Sequence, residues 1–371
     1  MNIDMEQVRA RTLDFVARRR VSDGCPQYRY SSAVARPTLY SSAYAAMTRS
    51  LYNDLGALTD EERQAWINHF NSHQDDDGLF RDPVIFGQGW YSGDPFWCGR
   101  THLTCHVIAA LACLGGAAAR PFAIVDEFCK PGRIASWLEG RDWGARVSTT
   151  GNEIMNLGTL LQYARDFHHD DRAGRAVEQL LDWLDAHHVS SETGLWGTLD
   201  VSDPIMRSHA VQAAYHWWTL YFYDGRRPPH MERAIDAVLA TQNPDGGFGC
   251  GVHNPTEPFK SSACEDIDSI DPLVRMSLLT DYRRGDIRAA LERAGPWVLR
   301  NQTPGGGFVF VLDKAFEYGH PELRGPAGAG AMFPTWFRTL SLAMLGKGLP
   351  AHSVGRYPWH FCRCPGYQFS P

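Results

Sequence analysis

The amino-acid sequence predicts an all-α fold in which an inner and an outer ring of helices close into an (α/α)6 toroid. Helical periodicity runs through most of the 371 residues, whereas the alternating pattern typical of strands is scarce. Six segments rich in small and apolar residues recur, and more charged helical segments lie between them. Such a repeat fits one inner and one outer helix per unit, and six units of uneven length favour closure over an open solenoid.

The inner helices are predicted from segments with few charges, because a helix that is buried on all sides loses its polar face. In chain order these segments begin at Thr38, Gly99, Gly151, Arg207, Asp266 and Pro334. Each follows a polar or turn-rich stretch. We therefore expect the six N-termini to surround one central cavity.

The outer helices are predicted from amphipathic segments that keep a charged face toward solvent. These segments are residues 61–73, 133–143, 172–188, 230–242 and 287–302. Residues 1–37 add an amphipathic helix and a lead-in, and residues 347–371 are expected to form a C-terminal strap over the barrel. No Pro/Ser-rich or charge-rich linker divides the chain, which predicts a single toroid domain over residues 1–371.

Charge and hydropathy exclude several classes of partner. A net charge of −6 provides no basic surface for nucleic acid or for an anionic membrane. The N-terminal helix lacks the apolar core and cleavage site of a signal peptide, and the longest nearly uncharged stretch, residues 103–119, is short for a membrane span. The sequence therefore predicts a cytoplasmic protein without an integral membrane segment, with its nine cysteines reduced. It leaves the oligomeric state open.

One kind of turn recurs after several outer helices. It has the sequence QNPDGGF at residues 242–248 and QTPGGGF at 302–308, with degenerate versions at 72–80 and 190–197. Its glycines supply positive φ and the following aromatic ring fills the gap between helix layers, so we expect a structural role. The pattern resembles the QW-type repeats of the terpene cyclase and protein prenyltransferase β-subunit superfamily, whose fold is an α/α toroid. The resemblance covers most of the chain as an architecture and is strongest over residues 241–345.

The prenyltransferase side of this resemblance implies a catalytic zinc site that the sequence does not support. Those subunits hold zinc through an Asp and a Cys early in one inner helix and a His in the last. Here the last inner segment carries Trp336 and Phe337 and no His, and the fifth, from Asp266, contains no Cys. We therefore expect no prenyltransferase-type metal site.

Class II terpene cyclases provide the closer resemblance. They carry a D-x-D-D motif at the start of an inner helix, shortly after a Gly-Gly-aromatic turn, and its middle Asp protonates an alkene or epoxide. Here Asp266, Asp268 and Ser269 follow the turn at 242–248. The resemblance implies that Asp268 is the proton donor and that Asp266 or Glu265 tunes it. The chain departs from the pattern in Ser269, which replaces the last Asp, and in its length, which is too short for the two α-barrel domains usual in that class.

The acidic cluster itself leaves three interpretations open. Residues 265–271 contain four carboxylates, and Pro272 suits the first turn of a helix, which predicts Asp271 as an ionised N-cap with Asp268 one turn earlier. A helix N-terminus lowers the pKa of nearby carboxyls, whereas mutual repulsion and burial raise it. The cluster is then a cap with a solvated turn, a catalytic acid, or a metal site of oxygen ligands that lacks the glycine and distal Glu of a calcium loop.

Polar and aromatic residues at the same level of the other inner helices are expected to line the cavity. They are Arg100, His102, His106, Asn152, Glu153, Asn156, Arg207, His209, Tyr215, His216, Trp217, Trp218, Trp336 and Arg338. His102 and His106 share one helix face and have Cys98 and Cys105 nearby, yet spacing fixes no third and fourth metal ligand. Cys362 and Cys364 in the tail supply only two ligands. No metal site is predicted.

Two enzymatic functions follow from these residues. In the first, a terpene-cyclase-like enzyme, Asp268 protonates an isoprenoid and aromatic rings face the resulting cation. The rings expected to do so are those of Tyr215, Trp217, Trp218 and Trp336. This enzyme needs no cofactor, although Mg²⁺ enters if the substrate carries a diphosphate.

The second function is that of a carbohydrate-active toroid enzyme, such as a glycoside hydrolase, uronate lyase or epimerase. Glu153 and Asp268 would form an acid–base pair across the cavity, and Arg100 or Arg207 would bind a substrate carboxylate. A non-catalytic toroid that binds a partner is the third possibility. The cavity lining discriminates between the two enzymatic functions. A mostly aromatic lining favours an isoprenoid substrate, whereas a lining of many charged and polar groups favours a sugar.

Overall fold

The structure, a computed structural model, describes residues 3–92, 96, 98–253 and 260–371. Within these ranges it contains fourteen α-helices, three short 3-10 helices and one antiparallel pair of two-residue strands, which confirms the all-α prediction. The strands are β1 (Phe316–Glu317) and β2 (Arg324–Gly325), with Phe316 opposite Gly325.

The helices follow one another in pairs of an inner and an outer element. In chain order they are α1 (Met5–Ala17), α2 (Leu39–Leu51), α3 (Asp60–Asn71), α4 (Arg100–Cys113), α5 (Ala123–Phe128), α6 (Arg133–Glu139), α7 (Val147–Phe167), α8 (Asp171–Ala186), α9 (Pro204–Tyr223), α10 (Met231–Leu239), α11 (Ala263–Leu279), α12 (Arg284–Arg300), α13 (Met332–Gly348) and α14 (Ser353–Arg356). The 3-10 helices are Leu55–Ala57, Gly89–Ser92 and Pro321–Leu323.

The inner ring is closed. Each of α2, α4, α7, α9, α11 and α13 packs against the next, and α13 returns to α2. These are the six segments predicted from their low charge, and their starts lie within four residues of the predicted positions. Residues on almost every face of these helices are buried, as expected of helices enclosed by an outer ring.

The outer ring is less regular than the inner one. Helices α3, α8, α10 and α12 each pack against the inner ring, while the short helices α5 and α6 share one position. Helix α1 completes the ring beyond α12, because Arg11 donates to the carbonyl of Thr303 at 2.7 Å and Gln302 donates to the carbonyl of Val8 at 3.4 Å. The N-terminal helix thus packs on the last of the repeated turns.

The repeated turns connect neighbouring units. Gln242 Nε2 donates to the carbonyl of Gly246 within the turn at 3.1 Å and to the carbonyl of Ala290 on α12 at 2.8 Å. Gly246 has a φ of 100°, and a Cβ there would collide with the carbonyl of Arg293. The Gln and the glycine are therefore needed for the approach of the turn to the next outer helix.

The C-terminal tail, residues 357–371, enters the ring and closes one end of it. Gln368 is fully buried, accepts a hydrogen bond from Trp336 Nε1 at 2.8 Å and donates to the carbonyl of Met47 at 3.1 Å. Arg275 Nη2 donates to the carbonyl of Phe369 at 2.7 Å. The tail is thus fixed to α2, α11 and α13, and the axis of the toroid is open toward the N-terminal ends of the inner helices.

Candidate active site

A cavity of about 300 Å³ lies on the axis of the toroid, above the tail. Its described lining residues are Trp90, Cys98, His102, His106, Ser148, Thr149, Asn152, His209, Gln212, His216, Val252, His253, Cys264, Asp268, Phe310, Phe316, Tyr318, Phe333, Phe337 and Tyr367. On five of the inner helices these residues include pairs three or four apart, such as His102/His106 and Phe333/Phe337. Helices α4, α7, α9, α11 and α13 supply lining residues, whereas no described residue of α2 belongs to the lining.

Helix α11 carries the acidic cluster, and it begins nine residues before Pro272. Its N-cap is Ser262, whose hydroxyl accepts from the Glu265 amide at 3.2 Å while the Glu265 carboxylate accepts from the Ser262 amide at 3.0 Å. The prediction of Asp271 as the N-cap is therefore wrong. Asp271 lies inside the helix, is buried, and forms an ion pair with Arg275.

Asp266 is an anchor between elements and does not belong to the cavity lining. One carboxylate oxygen accepts from the Phe248 amide at 2.8 Å and from Ser261 Oγ at 2.6 Å. The other accepts from Trp297 Nε1 at 2.8 Å and is paired with the guanidinium of Arg338. Four donors to a fully buried carboxylate join α11 to the preceding turn, α12 and α13. This position does not support the predicted catalytic role of Asp266.

Glu265 is also engaged by the backbone. Besides its capping bond, it accepts from the amide of Val252 at 3.1 Å, and burial raises its pKa to about 7. Glu265 does not belong to the cavity lining. Of its predicted catalytic role, only an electrostatic effect on the pKa of Asp268 remains. The loop between the 242–248 turn and α11 includes residues 254–259, which lie outside the described part of the chain.

Asp268 is the carboxyl group that the described structure places in the cavity lining. Its side chain is buried, and Oδ2 has no hydrogen-bond partner among the described residues. Burial raises the pKa of Asp268 well above its usual range, and the charges of Glu265, Asp271 and Asp266 raise it further, while a hydrogen bond from Gln212 opposes this. Burial and the neighbouring acidic groups thus favour the protonated form of this carboxyl.

Two cavity histidines are held in a fixed tautomer. His106 Nδ1 lies 2.8 Å from the carbonyl of His102, and His216 Nδ1 lies 2.7 Å from the carbonyl of Gln212. A carbonyl oxygen only accepts, so each Nδ1 carries the hydrogen and each Nε2 keeps its lone pair. Burial lowers the pKa of both imidazoles to about 4, which keeps them neutral. They are proton acceptors facing the same cavity as Asp268.

Two further cavity histidines, His102 and His253, take part in hydrogen bonds. His102 lies between two tyrosines, with Nδ1 2.6 Å from Tyr40 Oη and Nε2 3.3 Å from Tyr318 Oη. His253 Nε2 lies 2.8 Å from the side-chain nitrogen of Gln212. The interior of the cavity is thus polar but carries little net charge.

A wall of aromatic rings completes the cavity. Phe310 stacks on Phe316 with a centroid distance of 3.7 Å, and Phe333 packs between Tyr318 at 4.5 Å and Phe337 at 4.6 Å. The prediction missed this wall. Phe333 and Phe337 share a helix face in the last inner segment, which is a signal that the sequence does contain. The residues near 310–318 come from an irregular loop with no such signal.

Several predicted cavity residues are engaged elsewhere. Arg100 forms a bidentate pair with Asp77 at 2.6 and 2.7 Å, and Glu153 pairs with Arg141 at 3.1 Å. Neither residue lines the cavity, and the same holds for Arg207, which donates to a backbone carbonyl. These positions contradict the predicted Glu153/Asp268 pair. Of the predicted set, the lining includes Asp268, His102, His106, Asn152, His209 and His216.

The predicted aromatic residues also lie outside the lining. Trp217 packs outward between Trp143 and Trp196, with centroid distances of 5.4 and 5.3 Å. Trp336 packs on Tyr367 at the level of the tail. Tyr215 and Trp218 are buried and do not face the cavity. The structure therefore does not support the prediction that these four rings contact a substrate.

The described residues contain neither a cluster of metal ligands nor a helix that could span a membrane. No group of three or more His, Cys, Asp or Glu side chains there is arranged to hold a metal ion. Within the same ranges, no helix combines the length and the apolar character that crossing a bilayer requires. The predicted need for Mg²⁺ with a diphosphate substrate stays a prediction.

Comparison with known proteins adds evidence for the fold. No family model and no curated protein matches the sequence. A glycosidase variant superimposes with a TM-score of 0.53 at 14% identity, covering 93% of this chain and 100% of the other. A polysaccharide lyase superimposes with a TM-score of 0.50 at 10% identity, covering 83% of this chain and 89% of the other. A type II terpene cyclase variant from Scytonema was solved in complex with geranylgeranyl dihydroxybenzoate. It has a TM-score of 0.49 at 13% identity, covering 93% of this chain and 97% of the other. The chain is therefore an α/α toroid protein.

Proposed function

We propose that this protein is a terpene-cyclase-like enzyme in which Asp268 protonates an alkene or epoxide of an isoprenoid held in the central cavity. The observation that carries the proposal is the buried carboxyl of Asp268 in the cavity lining, whose Oδ2 has no partner among the described residues. Burial raises the pKa of this carboxyl, and an acid with a raised pKa is suited to general acid catalysis.

The cavity supplies what the later steps require. When the O–H bond of Asp268 breaks, the proton forms a C–H bond with the alkene, or an O–H bond with the epoxide, and a carbocation remains on the substrate. The rings of Phe310, Phe333 and Phe337 stabilise it through their negative faces. Nε2 of His106 or His216 accepts the proton that the cation finally loses. The product is an isomer of the substrate. Water then takes the proton from the imidazolium and returns one to Asp268, which restores both groups.

The charges of the lining favour a neutral substrate. Among the described lining residues there is no Arg or Lys that would neutralise a diphosphate or a uronate. Glycoside hydrolysis needs a second carboxyl group beside the first. The predicted partner, Glu153, is paired with Arg141 away from the cavity. The many neutral polar groups of the lining fit a sugar, whereas the absence of a second described carboxyl in the lining favours the cyclase function.

The proposal is tested by incubating the protein in D₂O with farnesol, geranylgeraniol and their terminal epoxides, followed by gas chromatography and mass spectrometry. We expect isomeric products from the alkenes that carry one deuterium from Asp268. Asp268→Asn should lower the rate by about 10²–10⁴-fold. Glu153→Gln is the discriminating control, because it should retain the cyclase activity.

The outcome that contradicts the proposal is equally concrete. It fails if Asp268→Asn keeps full activity or if the products of the alkenes contain no deuterium. If the wild type instead cleaves nitrophenyl glycosides and Glu153→Gln abolishes that cleavage, the carbohydrate function is correct. Melting temperatures of both variants show whether they fold.

The pH dependence of activity follows from the same groups. Asp268 must be protonated, and its pKa is raised, so activity should persist through neutral pH and fall only on the alkaline side. His106 and His216 must be neutral, so activity should also fall as the pH drops toward about 4. A rate profile that declines from about pH 4 to pH 6, as for an ordinary Asp, would contradict the role of Asp268.

A further inference from the structure

The C-terminal tail contributes residues to two separate spaces. One is the central cavity, and the other is an open groove of about 990 Å³. Tyr367 lines the central cavity, whereas Phe361, Cys362 and Phe369 line the groove. Residues only a few positions apart in the tail thus face opposite spaces.

The ring of Tyr367 forms the floor of the central cavity. It is buried and packs on His106 at a centroid distance of 4.9 Å and on Trp336 at 5.5 Å. Tyr367 and Asp268 both belong to the lining of this cavity. The floor is therefore near the proposed proton donor.

The floor is held firmly. The next residue, Gln368, is bonded to Trp336 and to the carbonyl of Met47, and Arg275 binds the carbonyl of Phe369 at 2.7 Å. Ring stacking of Arg275 on Phe369, with 3.9 Å from the guanidinium carbon to the ring centroid, secures the same segment from the groove side. A substrate chain that enters from the open end meets a fixed obstacle.

We propose that Tyr367 determines how deep an apolar substrate chain enters, and therefore which of its double bonds meets Asp268. With the ring in place, the chain end stops near the acid and the terminal double bond receives the proton. Without the ring, the chain end advances toward the groove and an internal double bond reaches Asp268. The choice of double bond rests on the proposed function, but the depth limit does not.

The depth limit is tested by calorimetry with straight-chain alkanols from octanol to eicosanol. The longest alkanol that binds Tyr367→Ala should exceed the limit of the wild type by several carbons. Phe361→Ala, a tail variant that faces only the groove, should keep the wild-type limit, as should Tyr367→Phe. Should Tyr367→Ala fail to fold, Tyr367→Leu should give a smaller shift. An unchanged limit in the folded variant, or no alkanol binding to any of the proteins, overturns the proposal.

The choice of double bond is tested separately with geranylgeraniol in D₂O. In the wild type, deuterium should enter the terminal isoprene unit, and in Tyr367→Ala it should move to an internal unit. A shifted alkanol limit with no turnover of any isoprenoid would support the floor and refute the proposed enzyme. Turnover with an unchanged limit and unchanged label position would support the enzyme and refute the floor.

Discussion

Replacing Asp268 by Asn should stabilise the protein at neutral pH, although it removes the proposed acid. Burial and neighbouring acids raise the pKa of Asp268, so the fold keeps this carboxyl protonated where the unfolded chain releases the proton. Asn has nearly the same shape, and its oxygen still accepts from Gln212, but it has no proton to lose. The variant therefore avoids the loss of folding free energy that proton uptake by Asp268 causes in the wild type.

The size of this gain follows from the direction of the pKa shift. Because the folded-state pKa is raised, the contribution of Asp268 to stability is intact below about pH 3.9, the pKa of an unfolded Asp, and declines as the pH rises toward the folded-state pKa. In that window each pH unit costs the wild type about 1.4 kcal/mol relative to Asp268→Asn. The difference should therefore grow steadily as the pH rises from the unfolded-state pKa toward the folded-state pKa.

The assay is guanidinium chloride unfolding of both proteins across this pH range, followed by tryptophan fluorescence. The difference in unfolding free energy isolates Asp268, because most other titrating groups are common to both proteins. Asp281→Asn, at an exposed aspartate, is the control for the Asp→Asn change itself. If the difference for Asp268→Asn is flat, or shrinks as the pH rises, Asp268 ionises normally in the fold and the reasoning is refuted.

Two further substitutions test the anchors of the fold by their effect on the melting temperature and the free energy of unfolding. Arg338→Met leaves the buried carboxylate of Asp266 without its ion pair and should lower stability by about 3–5 kcal/mol, and adding Asp266→Asn should recover part of the loss. No recovery would argue against the pair. Gly246→Ala, at positive φ and against the carbonyl of Arg293, should cost about 1–3 kcal/mol. Gly285→Ala, with no atom near the added Cβ, should stay within about 0.5 kcal/mol, and equal losses at both sites would contradict the steric explanation.

The ring of helices is predictable from the sequence because burial removes charge from the inner segments over their whole length. The start of α11 is harder to predict from the sequence, because two signals for a helix N-terminus compete there. Ser262 and Glu265 form a capping box, but Pro272 suggests a start nine residues later. The fold tolerates Pro272 inside α11, where it has no N–H to donate to the carbonyl of Asp268.

The site is predictable only in part, because periodicity does not tell which face of an inner helix points inward. His216 and Trp217 are neighbours in the sequence, yet His216 lines the cavity and Trp217 packs against the outer layer. Ion pairs between distant elements, such as Asp266 with Arg338 across 72 positions, are likewise invisible to spacing. Asp268 could be selected because it follows a recognisable turn.

The closure of the inner ring joins parts of the chain that are far apart in sequence. Helix α13 packs on α2, and the hydrogen bond from Gln368 to Met47 spans 321 positions. Contacts of such long range pay the largest loop-closure entropy and slow folding. Until they form, α2 and α13 are the two unpaired ends of an open solenoid, and each can pair with the complementary end of another copy. Refolding at high protein concentration should therefore favour exchanged dimers joined at this seam.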